Sequence, residues 1–407
     1  MRTMKSHRFL APVLSALLLT CVFPTASAQT YRVLHTFAGA QQKDGAYPQG
    51  TPLLDAAGNV YGTTQQGGAL CGHFTCGTIF MVNTKGAEAV FSFNGQDGMW
   101  PSAALFRDSL GNLYGTTMFG GTHNNCLINP TGCGTIFQLN SKGTSIHYYS
   151  FAGQPDGGLS QSPLVEVSGS FYGTTYEGGA FGDGTIFAIN ARGDESVRYN
   201  FQGQSDGCQP YTGLTADSKG NLYGVTGSGS CSNGYGSVYE FDTAGNFTVL
   251  YAFDGIVGAE PNSSLILDSQ GNLYGTTSSG GANGQGTIFE LSPGGNGSWL
   301  AKALYSFCSA ACADGAQPKG PLVRDNAGNL YGVAYGGGNN GRGTVFKLDT
   351  SGTLTVLHTF TGGSDGYQPV AGLTMDASGN LYGVTLSGGN FKCNSTSGCG
   401  VVFELTP

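Results

Sequence analysis

Apolar and polar residues alternate along this chain in short runs of about five residues. Leu273-Tyr274-Gly275-Thr276-Thr277 and Thr287-Ile288-Phe289-Glu290-Leu291 are two of them, rich in aromatic and β-branched side chains and bounded by Gly, Asn and Asp. A period of two puts successive side chains on opposite faces, so the runs predict half-buried β-strands joined by tight turns. No stretch beyond residue 28 carries a helical period. The runs come in groups of four. The first strand of a group ends at an acidic residue (Gly213 to Asp217), and the second reads like Asn272 to Thr277. The third reads like Gly286 to Leu291 and the fourth like Leu304 to Phe307.

The Tyr-Gly step of the second strand returns at Tyr61, Tyr114, Tyr172, Tyr223, Tyr274, Tyr331 and Tyr382, at intervals of 51 to 58 residues. Units of this size with four antiparallel strands are propeller blades. Val33-Leu34-His35-Thr36-Phe37 at the start matches the fourth strand Val356-Leu357-His358-Thr359-Phe360, and Gly400 to Leu405 at the end is a third strand. Pairing the two ends closes a ring and removes two sheet edges. The expected fold is therefore all-β: a seven-bladed β-propeller over residues 29–407, its last blade completed by the N-terminal strand 31–37.

The motif Asp268 to Thr277, Gly280-Gly281 and Gly286 to Phe289 resembles the GloVer tandem repeat of exported bacterial proteins, and the resemblance extends over residues 31–407. It implies an extracytoplasmic repeat protein without an assigned activity. Many members of that choice-of-anchor group end in a C-terminal sorting anchor. This chain stops at Pro407 just after its last strand, so an anchor of that kind is not expected.

Residues 1–28 read as a signal peptide: basic Arg2, Lys5 and Arg8, an apolar run from Phe9 to Phe23, and Ala26-Ser27-Ala28 before the cleavage point. The expected location is secreted or periplasmic, with no transmembrane segment. Loss of those three basic residues, with no acidic ones, takes the formal net charge from −8 to −11, which disfavours nucleic acid as a partner. Ten cysteines then remain, and an even number in an exported chain reads as disulfides. Spacing pairs them as Cys71–Cys76, Cys126–Cys133, Cys208–Cys231, Cys308–Cys312 and Cys393–Cys399. No cofactor or metal site is expected, since no CxxC, HExxH, GxSxG or phosphate loop occurs.

Residues present in every repeat read first as scaffold. The acidic column Asp55, Asp108, Glu166, Asp217, Asp268, Asp325 and Asp376 precedes a Gly by three positions, as in a turn where Asp accepts backbone N–H groups. Asp44, Asp97, Asp156, Asp206, Asp314 and Asp365, each followed by Gly, open six blades and also read as turn residues. One Asp per loop supplies too few ligands for calcium within a blade.

Function is expected where the repeats differ. The loop between strands two and three is longest in blades one, two and seven (Ala69 to Cys76, Thr122 to Cys133, Asn390 to Cys399), which ring closure makes neighbours. The lead-in loops of those blades carry Tyr47, Trp100 and Tyr367. With His73, His123, Asn124, Asn125 and Lys392 they form the candidate ligand-binding sector, suited to stacking and hydrogen bonding with a carbohydrate or an extracellular protein. The alternative for the three aromatics is packing beneath longer loops. The leading expectation is a monomeric, non-catalytic binding protein. Its rivals are a polysaccharide lyase or hydrolase, with Asp97 and His123 as acid and base, and a purely architectural protein.

Overall fold

Each Tyr-Gly repeat folds as one antiparallel sheet. In this computed structural model, residues 29–39, 44–71, 74–83, 86–123, 126, 131–227, 234–309, 311–393 and 397–407 are described. The seven sheets are the blades of a β-propeller. Blade three runs from the axis to the rim as Val165–Val167, Ser170–Thr175, Thr185–Asn190 and Glu195–Asn200. Blade seven is built from both chain ends. Thr374–Met375, Leu381–Thr385 and Val401–Thr406 take Thr30–Thr36 as their outermost strand, with Tyr31 opposite Leu405 and Val33 opposite Phe403. Among the described residues there is no α-helix, and no helix long and apolar enough to cross a membrane.

The core is a ring of aromatic pairs between blades. The phenylalanine that follows each fourth strand is fully or almost fully buried and meets an aromatic on the third strand of the next blade. Phe93 meets Phe137 at 5.0 Å, Phe151 meets Phe187 at 5.2 Å, and Phe37, from the N-terminal strand, meets Phe80 at 5.1 Å. Their edge-on geometry suits the ring quadrupoles. This arrangement explains the Gly of the Tyr-Gly step. The tip of the third-strand ring reaches over it, so a Cβ on Gly275 would stand 2.7 Å from Phe289, and one on Gly62 would stand 2.5 Å from Phe80.

The Tyr and the acidic column belong to one turn. Asp268 Oδ1 accepts the backbone N–H of Gln270 and Asn272, while Oδ2 accepts Asn272 Nδ2 and the Tyr274 hydroxyl. The same four-bond pattern holds at Asp55 and Asp108. Gly271 closes the turn at a φ of 86°. The lead-in aspartates also brace their loops. Asp156 accepts the N–H of Ala152 and the Tyr149 hydroxyl, and His35 and His358 make the equivalent side-chain contact with Asp44 and Asp365. These bonds perform the turn role expected for the lead-in column and for the aspartates of the acidic column; Glu166, the exception, lies exposed within the strand Val165–Val167.

Candidate binding face and axial cavity

Two loop types share one face. In every blade, the residue two places after the lead-in glycine donates its N–H to the carbonyl that precedes the third strand of the blade before it. The seven donors are Tyr47, Trp100, Leu159, Gln209, Glu260, Gln317 and Gln368, with N···O distances of 2.8 to 3.0 Å. All seven have positive φ, between 52° and 59°, a conformation non-glycine residues seldom adopt. The ring of bonds holds them there, and in six of the seven loops a proline follows. In blades seven, one and two the accepting carbonyl belongs to a cystine: Cys399, Cys76 and Cys133. The pairs Cys71–Cys76, Cys126–Cys133, Cys308–Cys312 and Cys393–Cys399 are formed. Cys208 is also disulfide-bonded, and Cys231 lies outside the described residues.

This ring changes the reading of the aromatic sector. Tyr47 and Trp100 occupy equivalent places, but in blade seven that place is Gln368. Tyr367 stands one residue earlier, where blade two has Met99. A one-residue shift turns a side chain to the other face, and Tyr367 is accordingly buried, with the Arg342 guanidinium 4.8 Å from its ring centre. Trp100 is half-buried and packs edge-on to Phe119 at 5.2 Å, and Tyr47 is half-buried against the core between blades seven and one. Lys392 and His123 are exposed, and the His123 ring lies 3.3 Å from the Thr122 hydroxyl. His73, Asn124 and Asn125 lie outside the described residues, as does the leader 1–28. Asp97, proposed as an acid or base, accepts the Asn94 N–H within its own loop.

A second feature of this face was not foreseen. The segments that lead into the innermost strands of all seven blades surround an axial cavity of about 370 Å³. The residues after the lead-in pairs stand round it: Gln49, Ser102, Gln161, Tyr211, Asn262 and Val370, with Gly320 beside Lys319 in blade six. Ser102 Oγ, Thr212 Oγ1 and Asn262 Oδ1 are buried here, with no hydrogen-bond partner among the described residues. These atoms have almost no surface open to solvent, so each is an uncompensated polar group within the cavity wall.

Polar chemistry at the mouth collects on blades three to six. Burial pushes the Tyr211 hydroxyl up to about 12, helped by the Glu260 carboxylate and Tyr176 nearby. Burial also lowers the Lys319 ammonium below the usual lysine range, against the opposing pull of Glu260. Lys319 Nζ sits 4.8 Å from the centre of the Tyr335 ring, and Ser278 Oγ donates to the Glu260 carboxylate at 3.1 Å. Among the described residues, no group of three or more His, Cys, Asp and Glu is placed to hold a metal ion.

The sequence profile described as the Gloeobacter/Verrucomicrobia repeat matches residues 20–129, 129–271 and 232–407. No curated protein matches the chain. Among solved structures, the chain is similar to the extracellular domain of a candidate hybrid two-component system, BT4673 from B. thetaiotaomicron. That match has 12% identity and a TM-score of 0.54, and covers 94% of this chain and 42% of that one. A gluconolactonase from Xanthomonas campestris matches at 14% identity and a TM-score of 0.42, over 67% of this chain and 78% of that one. At these identities the likeness is one of fold.

Proposed function

This chain belongs to the Gloeobacter/Verrucomicrobia repeat family, and from that premise we propose that it is an exported, non-catalytic protein that binds carbohydrate at its axial cavity. The observation that carries the proposal is the cavity itself, bordered by Tyr211 and by the polar side chains of Gln49, Ser102, Gln161 and Asn262. A few convergent hydrogen-bonding groups beside an aromatic face suit a sugar, which offers hydroxyls at its edge and C–H bonds on its flat side. The disulfides and the signal-like leader support an extracytoplasmic setting.

The test is a glycan array probed with the oxidised chain from residue 29 to 407. Gln161→Ala and Tyr211→Ala are each expected to weaken a specific hit by about tenfold or more, since each leaves sugar groups unpaired or unstacked. Trp100→Ala, out in the blade seven–one–two sector, is expected to leave it unchanged. Binding lost only on Trp100→Ala would return the site to that sector, and an array without hits would remove the carbohydrate reading.

A further inference from the structure

We propose that the sugar bound at the axial mouth carries a single anionic substituent, a carboxylate or a sulfate, and that Lys319 receives it; this rests on the carbohydrate reading above. Lys319 follows Pro318 as Tyr211 follows Pro210 and Asn262 follows Pro261, and its neighbours Gly320 and Pro321 line the cavity in blade six. Its side chain is half-buried over Tyr335. Among the described residues, its ammonium has neither an ion-pair partner nor a hydrogen-bond acceptor. Glu260 acts on it only from a distance, and the Glu260 carboxylate is already engaged by Ser278. A partly desolvated cation without a counter-charge is unfavourable in the free protein and pairs strongly with an anion that arrives.

The neighbouring groups supply the rest of such a ligand's contacts. Tyr211 borders the cavity in blade four and Asn262 in blade five, the two preceding blades, and Gln161 borders it in blade three. The anion must be sparse. The whole chain has a formal net charge of −8, so a densely charged polymer is repelled before it reaches one lysine.

The experiment is calorimetric titration with uronate-containing oligosaccharides and their carboxyl-reduced counterparts, and with singly sulfated oligosaccharides and their desulfated counterparts. The anionic member of one pair is expected to bind about tenfold more tightly, and which pair responds separates carboxylate from sulfate. Lys319→Gln should erase that preference while leaving the neutral member's affinity in place, which also shows that the variant folds. Lys319→Arg should retain the preference, Glu260→Gln should increase it, and a heparin-class polyanion should fail to compete. Equal affinity for charged and neutral members, unaffected by Lys319→Gln, overturns the anionic assignment and leaves the carbohydrate reading standing. Binding of none of them overturns both.

Discussion

Tyr239 stands in a third-strand column that holds phenylalanine in the other six blades: Phe80, Phe137, Phe187, Phe289, Phe346 and Phe403. Its ring does the same work, meeting Phe201 edge-on at 5.5 Å above Gly224. Its hydroxyl is fully buried and has no hydrogen-bond partner among the described residues, and burial holds its pKa far above the ordinary tyrosine value. The oxygen therefore carries a desolvation penalty without a compensating bond. Tyr239→Phe is expected to raise the unfolding free energy by about 1 kcal/mol, read by denaturant titration. A loss of stability would mean that the hydroxyl has a partner, such as an ordered water.

At the scale of the element, strands and turns were legible in the sequence because each is written seven times in residue types with one physical meaning. A Gly under a ring, an Asp before a turn glycine and an alternating aromatic strand leave little choice. The lead-in loops were not legible in the same way. Their positive-φ place is filled by Tyr, Trp, Leu, Gln, Glu, Gln and Gln, so residue type does not mark it. The following proline marks it in six blades, and counting from that proline would have put Gln368, not Tyr367, beside Trp100. The cavity was hidden for a related reason. Each blade contributes a residue or a short stretch to it, and those residues have no common chemistry until the ring brings them together. The cystines act on the same loops. Cys133 both closes the Cys126 loop and accepts the Leu159 N–H from the next blade. Replacing Cys126 and Cys133 by Ser is expected to cost about 2 kcal/mol. It should also speed amide exchange at Leu159 more than at Gln317, whose acceptor, Gln285, lies outside any cystine. An equal change in rate at the two amides would show that the staple does not brace the inter-blade bond.

For the whole molecule, two sets of carboxyl groups set the response to pH. Burial tends to raise the pKa of Asp55, Asp108, Asp217, Asp268, Asp325 and Asp376, but hydrogen bonds from Asn, backbone N–H and, at most of these sites, Tyr prevail and lower it. Their contribution is present above the unfolded value near 3.8 and is lost as the pH falls below it. Glu195 has the opposite sign. It lies between blades two and three, where blade four has Phe247, and burial, followed by the Asp156 charge, raises it to about 8. The folded protein thus keeps a proton that the unfolded chain releases near 4.5, and stability falls as the pH rises from there towards 8. Thermal unfolding is expected to peak near about pH 5, with Glu195→Gln flattening the alkaline limb and sparing the acid one. An unchanged alkaline limb in that variant would dismiss Glu195 as its source. The ring closure has a further consequence, in time rather than in energy. Thr30–Thr36 is made before every other strand of the ring, yet its partner Val401–Thr406 is the last of them to appear. The opening strand must therefore wait with its edge unsatisfied while six blades assemble, and a chain interrupted anywhere before residue 401 can never latch. Completion of the ring thereby reports that all seven blades have been made.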